Sequence, residues 1–270
     1  MNLHAPLEPP VLARTDQDGV ATLVLDRPAA RNALSEGLIA ALTAELDAIA
    51  ATPAVRAVII AGDRRIFSAG HDLKEMRAHR PDPDGGRAYY ERILGLCSAM
   101  MQRIVKLPQP VIAAVEGIAT AAGCQLVASC DLAVAGANAR FSTPGVHIGL
   151  FCSTPMVPLS RNLSRKHALE MLLLGEMVRA EDAHRFGLVN RVVPAGEAQA
   201  EARRMAAIVA GKSPLTLELG KRAFYEQLEL GLEEAYACAT RVMVENMMAR
   251  DAEEGIGAFI DKRDPTWHGC

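Results

Sequence analysis

Aromatic side chains are scarce. One Trp, four Tyr and six Phe among 270 residues are too few to build the stacking platforms that hold single-stranded nucleic acid. An excess of positive charge is missing too. Twenty-nine Lys and Arg against 32 Asp and Glu leave a net charge of -3, so a function that rests on neutralising phosphates is excluded and no nucleic-acid partner is expected. The six cysteines are Cys97, Cys124, Cys130, Cys152, Cys238 and Cys270, and no two stand as C-x-x-C. Neither a disulfide framework nor a metal site is expected, and reduced thiols in a cytoplasmic protein are the default. Long apolar runs are also absent. The best candidate, 111–137, is interrupted by Glu116, Gln125 and Asp131, so no membrane partner is expected. Residues 1–10 lack the basic-then-apolar order of a secretory signal.

What is present is core material. Half of the residues are apolar and 23% are charged, a balance that supports a packed interior and excludes wholesale disorder. The first half of the chain alternates short apolar runs with helical periodicity. Strands are predicted over 21–26, 56–61, 111–115 and 131–134. Helices are predicted after a Ser35 cap, with Leu38, Ile39, Leu42, Leu46 and Ile49 on one face, over 86–106, and over 121–129. Pro108 and Pro110 force an extended chain into the run Val111–Val115. This alternation predicts an α/β fold. From about Gly196 the pattern is helical only. Ser213-Pro214 starts one helix, 232–248 forms a second, and Asp251-x-x-Glu254 reads as a capping box for the last. The expected division is a core over 1–195 and a helical region over 196–270. No internal repeat is visible.

Two segments carry the candidate chemistry. Phe67-Ser68-Ala69-Gly70-His71-Asp72-Leu73-Lys74 follows one strand, and Gly117-Ile118-Ala119-Thr120-Ala121-Ala122-Gly123-Cys124-Gln125-Leu126 follows another. Each places small residues where a strand gives way to a helix. The first N–H groups of a helix have no partner within it, and small side chains let a ligand atom approach them. Two such loops facing one point would form a pair of donors for a developing oxyanion. Close helix packing explains the same small residues.

In this order, these segments and several others make the chain resemble the enoyl-CoA hydratase/isomerase (crotonase) superfamily. The further carriers are Asp26-Arg27-Pro28, Arg31-Asn32-Ala33-Leu34, Cys130-Asp131-Leu132-Ala133, Phe141-Ser142-Thr143-Pro144 with Gly149, Phe186-Gly187-Leu188-Val189-Asn190, and Ala258-Phe259 with Asp261-Lys262-Arg263. The stretches Ala-Ala-Gly-Cys-Gln-Leu and Gly-Leu-Phe-Cys-Ser-Thr-Pro are similar to those of its enoyl-CoA hydratase domain-containing protein 3 subgroup.

The resemblance implies a spiral of strand-strand-helix turns and a C-terminal helical trimerisation region, in trimers or hexamers. It implies an acyl-CoA thioester as partner, with coenzyme A entering as part of the substrate and no separate cofactor. The donors to the thioester oxygen would be the His71 and Ala122 N–H groups. Loss of one such donor typically costs about 2.7–4 kcal/mol of transition-state stabilisation. Arg31, Ala69, Leu73 and Lys74 would lie along the CoA moiety, with Phe259 and Lys262 reaching over from a neighbouring subunit.

One departure matters for the reaction. The two glutamates of the family's hydratases correspond here to Gln125 and Gly145. Neither residue titrates near neutral pH, so efficient two-glutamate hydration is not expected. The expectation is an acyl-CoA enzyme that stabilises an enolate. The alternatives are an acyl-CoA-binding protein with little turnover and a malonyl-type CoA decarboxylase. His71, His147, Tyr90, Glu91 and Cys152 are the remaining candidates for proton transfer or nucleophilic attack, and Asp72 and Asp131 read as structural.

Overall fold

The computed structural model describes residues 10–63 and 65–270. The stretch read for a secretory signal and the start of the expected core, residues 1–9, lie outside the described residues.

The chain opens with a hairpin, β1 (Leu12–Gln17) and β2 (Val20–Leu25), paired antiparallel around Asp18-Gly19. Both turn residues have positive φ, 51° and 74°, as a two-residue hairpin turn of this hand requires. Helix α1 (Glu36–Ala50) starts as expected, with the Ser35 hydroxyl accepting from the Leu38 N–H at 3.2 Å. The chain then repeats one plan three times. β3 (Ala57–Ala61) is followed by β4 (Ile66–Ser68) and by helices α2 (Leu73–Ala78) and α3 (Arg87–Lys106). β5 (Val111–Val115) is followed by β6 (Ile118–Thr120) and α4 (Ala122–Ser129). β7 (Leu132–Gly136) is followed by β8 (Arg140–Ser142), a 3-10 turn over Pro144–Ile148 and α5 (Ser153–Asn162). Next come α6 (Arg165–Leu174), β9 (Val178–Arg179), α7 (Ala180–Phe186), β10 (Arg191–Val193) and four helices: α8 (Ala198–Ala210), α9 (Pro214–Gln227), α10 (Leu232–Met247) and α11 (Arg250–Asp261).

Within each repeat, the first strand joins a large sheet and the second joins a small one. The large sheet has the order β1-β2-β3-β5-β7-β10 and is parallel from β2 onward. The small sheet has the order β4-β6-β8-β9, with only β8 and β9 antiparallel. This is the spiral of strand-strand-helix turns. The repeat is topological. Its turns differ in length and share no sequence period, which is why none is visible in the residues alone.

Alternation along the large sheet buries both faces, as a parallel sheet covered on two sides requires. Val58, Ile60, Ala113 and Val115 join the main core with α1 and α3. Ala57, Ile59, Ile112 and Ala114 face α8, which presents Ala198, Ala202 and Ala206. Thus α8, which begins the all-helical stretch, covers the sheet. A buried ion pair fixes α9 to the same core. Lys221 Nζ lies 2.7 Å from Asp131, which also accepts from the Val111 N–H and the Tyr225 hydroxyl. Asp131 is thus structural.

The capping box expected at Asp251 does not form. Helix α11 is capped at Ala249. Asp251, already inside the helix, is buried and accepts from the Ser213 hydroxyl at 2.6 Å and from the His268 and Gly269 N–H groups. The start of α9 and the segment around His268 supply these donors, which local spacing does not reveal. Among the described residues, no helix is long and apolar enough to cross a membrane, and no cluster of three metal-ligating side chains forms.

Candidate active site

The first loop is built against residues 31–34. The Ala69 N–H donates to the Arg31 carbonyl at 3.1 Å, Leu34 N–H to Gly70 O at 2.7 Å, and Asp72 N–H to Leu34 O at 3.3 Å. The bridge between Leu34 and His71 therefore uses the Gly70 carbonyl and the Asp72 N–H. In a parallel bridge, the N–H of the residue between them turns outward, so the His71 N–H has no main-chain acceptor among the described residues.

Three side chains hold this corner. Asn32, fully buried, accepts from the Arg27 N–H at 2.8 Å and donates to the Ile66 carbonyl at 3.0 Å. The Ser68 hydroxyl donates to the Asn32 carbonyl at 2.8 Å and accepts from the Gly70 N–H at 3.3 Å. Asp72 caps α2, accepting from the Lys74 and Glu75 N–H groups, and pairs with Arg27 at 3.3 Å. Asn32 and Ser68 both stand in the motifs that carry the resemblance, but their holding role depends on contacts distant in the chain.

The second loop is shaped by backbone constraint. A Cβ on Gly117, at φ +64°, would lie 1.8 Å from the Arg65 carbonyl, so only glycine fits where the chain changes sheets. Ala121 adopts φ 50°, ψ -120°, a conformation that L residues rarely take. Its N–H donates to the Ser142 carbonyl at 2.9 Å. Ala122 is the first residue of α4, so its N–H has no acceptor within the helix.

The two loops touch. The strands that feed them, β4 and β6, pair in parallel. A Cβ on Gly70 would lie 2.8 Å from Ala121 Cβ and 3.1 Å from Ala122 N, and one on Gly123 would lie 2.3 Å from Ser68 O. The residue before one free donor thus abuts the other donor.

Among the buried side chains at this junction are polar groups that carry no charge. Gln125 is 3% exposed and its Oε1 has no partner among the described residues. Buried without partners as well are His71 Nε2 and Ser142 Oγ. Burial pulls the His71 pKa below its ordinary value, so the ring is neutral at neutral pH. Gly145 is closed in. A Cβ there would meet the Leu150 carbonyl at 2.7 Å and Cys152 Sγ at 2.9 Å. The position is therefore filled by neighbouring chain as well as lacking a carboxylate. Burial raises the Cys152 pKa, and Cys124 is pushed up to about 12, so both thiols stay protonated and poorly nucleophilic.

The other proton-transfer candidates are engaged elsewhere. The Tyr90 hydroxyl donates to the Met76 carbonyl at 3.0 Å, exposed Glu91 faces Arg87, and exposed His147 packs against the backbone at Gly175. The fold brings Ala69, His71, Leu73, Lys74, Ala122 and Gln125 onto the two adjoining loops and their helices, with Arg31 on the segment bound to the first loop. Phe259 on α11 and Lys262, which caps that helix, stand apart; α11 packs on α9 and α10. Phe259 is 85% exposed.

Comparison with known proteins identifies the arrangement. Residues 15–270 match the family model described as Enoyl-CoA hydratase/isomerase. The chain is 45% identical over 260 residues to the Rattus norvegicus protein named "Enoyl-CoA hydratase domain-containing protein 3, mitochondrial", covering 96% of this chain and 85% of that one. The crystal structure of human enoyl coenzyme A hydratase domain-containing protein 3 superposes with a TM-score of 0.90 at 44% identity, covering 95% of this chain and 100% of the other. An enoyl-CoA hydratase structure from Mycobacterium smegmatis gives 0.91 at 50% identity, covering 96% and 100%. These relatives overturn the cytoplasmic expectation, because the rat protein and its human counterpart are named mitochondrial. Unpaired thiols distinguish oxidising compartments from reducing ones and carry no further address.

Proposed function

The chain belongs to the enoyl-CoA hydratase/isomerase family, and from that premise we propose that it binds an acyl-CoA thioester and holds the thioester oxygen on the His71 and Ala122 N–H groups. The observation that carries this reading is the contact between two strand-to-helix loops, each ending in a main-chain donor without a main-chain partner. Fixed donors in a water-poor site favour the charge that develops when a thioester becomes an enolate, each by about 2.7–4 kcal/mol. Arg31 and Lys74, exposed beside the first loop, supply positive charge for the CoA phosphates, with Ala69 and Leu73 along its path. Phe259 and Lys262 complete the CoA site from a neighbouring subunit. Exposed Tyr236, Met243, Val244, Ile256 and Ile260 on α10 and α11 support a trimeric or hexameric assembly.

The chemistry is enolate stabilisation without a carboxylate pair. Gln125 orients a ligand group by hydrogen bonding and moves no proton. Gly145 leaves the opposite side without a titrating group. Of the titratable side chains on the two loops, His71 is the neutral base, so a proton delivered to an enolate carbon comes from its ring or from solvent. A second reading, an acyl-CoA-binding protein with little turnover, is supported by the closure around Gly145. Decarboxylation of a malonyl-type thioester needs the same donors and one proton.

Calorimetry with free CoA, butyryl-CoA and crotonyl-CoA, alongside a crotonyl-CoA hydration assay, tests the proposal. Thioesters are expected to bind more tightly than CoA, with hydration about 10²-fold or more below that of a two-carboxylate hydratase. Equal affinities for CoA and its thioesters would remove the donor pair from the function. Hydration as fast as in a two-carboxylate enzyme would refute the missing-carboxylate argument.

A further inference from the structure

Helix α11 is held to its own chain by little apolar surface. Of its 12 residues only Asp251 and Ala258 are buried, while Ile256, Phe259 and Ile260 stand exposed. Apolar packing within the chain therefore leaves the direction of the helix loosely specified. Polar contacts specify it instead, and they come from residues 263–270.

The chain reverses at Lys262, which ends the helix with φ 56°, and the Arg263 N–H donates to the Ala258 carbonyl at 3.0 Å. Arg263 then grips both carboxylate oxygens of Glu254, at 2.7 and 2.9 Å, and the Thr266 N–H donates to the same carboxylate at 2.8 Å. The Trp267 indole N–H donates to the Gly211 carbonyl at 2.9 Å. Its ring lies against Gly255, where a Cβ would come within 3.1 Å of it. The His268 and Gly269 N–H groups end on the Asp251 carboxylate, which the Ser213 hydroxyl also meets, and the Asp251 N–H donates to the Cys270 carbonyl at 3.0 Å. Gly211 caps the end of α8 and Ser213 the start of α9, and α8 lies on the large sheet. Residues 263–270 therefore fix α11 to the frame of the core.

Lys262 stands where the helix and the returning segment meet. Its left-handed main chain is one that L residues keep only where their surroundings impose it, so its pose is set from both sides. Resting on the reading above in which Phe259 and Lys262 meet the CoA of a neighbouring subunit, we propose that residues 263–270 form a strap that aims these two side chains at the nucleotide end of that CoA. A cation suits the CoA phosphates and an exposed aromatic ring suits its adenine. Asp251 and Trp267 are the positioning residues of the strap. Neither touches the ligand, and each acts through the direction of α11. With the strap fastened, α11 is ordered before CoA arrives, so binding does not have to supply that order. A segment that only covered the core would stabilise the fold without preference among ligands. A strap that aims α11 acts on the nucleotide end alone and leaves the thioester loops untouched.

The test measures two ligands by calorimetry on the full chain: butyryl-CoA, and S-butyryl-pantetheine, the same thioester without the nucleotide. The variants are Lys262→Glu, Asp251→Asn and the milder Trp267→Ala, which decides the matter if Asp251→Asn does not fold. Both strap variants should bind butyryl-CoA about three- to ten-fold more weakly than the parent, the effect of losing one ligand contact. They should bind S-butyryl-pantetheine like the parent and keep its assembly mass in light scattering. In the Lys262→Glu background, adding Trp267→Ala should weaken butyryl-CoA little further, because both changes remove the same contact. Unchanged butyryl-CoA binding in the strap variants, an equal loss for both ligands, losses that add in full in the double variant, or a broken assembly in Trp267→Ala overturns the proposal. If the parent is a monomer, or if Lys262→Glu leaves butyryl-CoA binding unchanged, the neighbouring-subunit reading fails and takes the proposal with it. A loss in Lys262→Glu with none in the strap variants overturns the proposal alone.

Discussion

Replacing Gly70 by alanine inserts one methyl group between the two candidate donors, and its effects can be worked out in two parts. The first is conformational. Gly70 has φ +88°, and an L residue in the left-handed region costs about 1–2 kcal/mol. The second is steric. The new Cβ would lie 2.8 Å from Ala121 Cβ and 3.1 Å from both Ala122 N and the Thr120 carbonyl, so the loops must separate, at about 1–3 kcal/mol for an overpacked site. Gly85 isolates the first part. It also has positive φ, +69°, yet nothing lies within 4 Å of a Cβ built there. Urea denaturation should show Gly85→Ala losing about 1–2 kcal/mol and Gly70→Ala losing clearly more. In calorimetry, Gly85→Ala should bind butyryl-CoA like the parent, whereas Gly70→Ala should lose the advantage of thioester over CoA. Equal destabilisation by the two substitutions, or unchanged thioester binding by Gly70→Ala, would refute the contact between the loops as the basis of the site.

Three further outcomes are expected. Gln125→Glu combined with Gly145→Glu should raise crotonyl-CoA hydration by about 10²-fold or more yet lower stability by about 1–3 kcal/mol, because a Cβ at 145 meets Leu150 O and Cys152 Sγ; unchanged stability in urea would contradict that packing. Lys221→Met should cost about 3–5 kcal/mol by leaving Asp131 buried and uncompensated, and adding Asp131→Asn should recover part of it; a loss that Asp131→Asn does not relieve would show that the charge is not the cause. The depressed pKa of His71 means that on acidification the unfolded chain takes up this proton first. Its contribution is therefore complete above the ordinary histidine value of about 6.5 and is lost as pH falls from there toward the folded-state value; a His71→Gln variant should show a smaller drop in urea midpoint between pH 7.5 and 5, and an identical drop would reject the burial.

Much of the large sheet and of the helices around it was legible in the residues. β3 and β5 are continuous apolar runs, α1 carries its hydroxyl cap, and the helical tail announces itself by periodicity. The small sheet was not legible, because strands of two or three residues are too short to display alternation, and β4 reads as part of a loop. Hairpin strand β1 was missed as well, although Asp18-Gly19 between Gln17 and Val20 is a turn signal, because the polar run Arg14–Gln17 lacks a strand's apolar face. At the site, the motifs pointed to the two loops that the structure brings into contact. They did not reveal that Leu150 and Cys152 fill the space beside Gly145, which depends on how the 3-10 turn folds the chain back, or that Asn32 and Ser68 brace the first loop, since those contacts join residues far apart in the chain. Asp251 misled for the same reason, since its partners are Ser213 at the start of α9 and the main chain at His268 and Gly269.

The corner at Gly117 has a consequence for how a ligand is received. With only Glu116 and Gly117 between β5 and β6, and the Arg65 carbonyl filling the space where a side chain would stand, the second loop has no slack with which to swing. The first loop is bound just as closely to residues 31–34. On the proposed reading, both candidate donors are preorganised before a thioester arrives, and docking one would freeze little additional main-chain motion. Under the same proposal, selectivity among acyl groups would fall to the side chains lining the path, where a single substitution would redirect the site without rebuilding its frame.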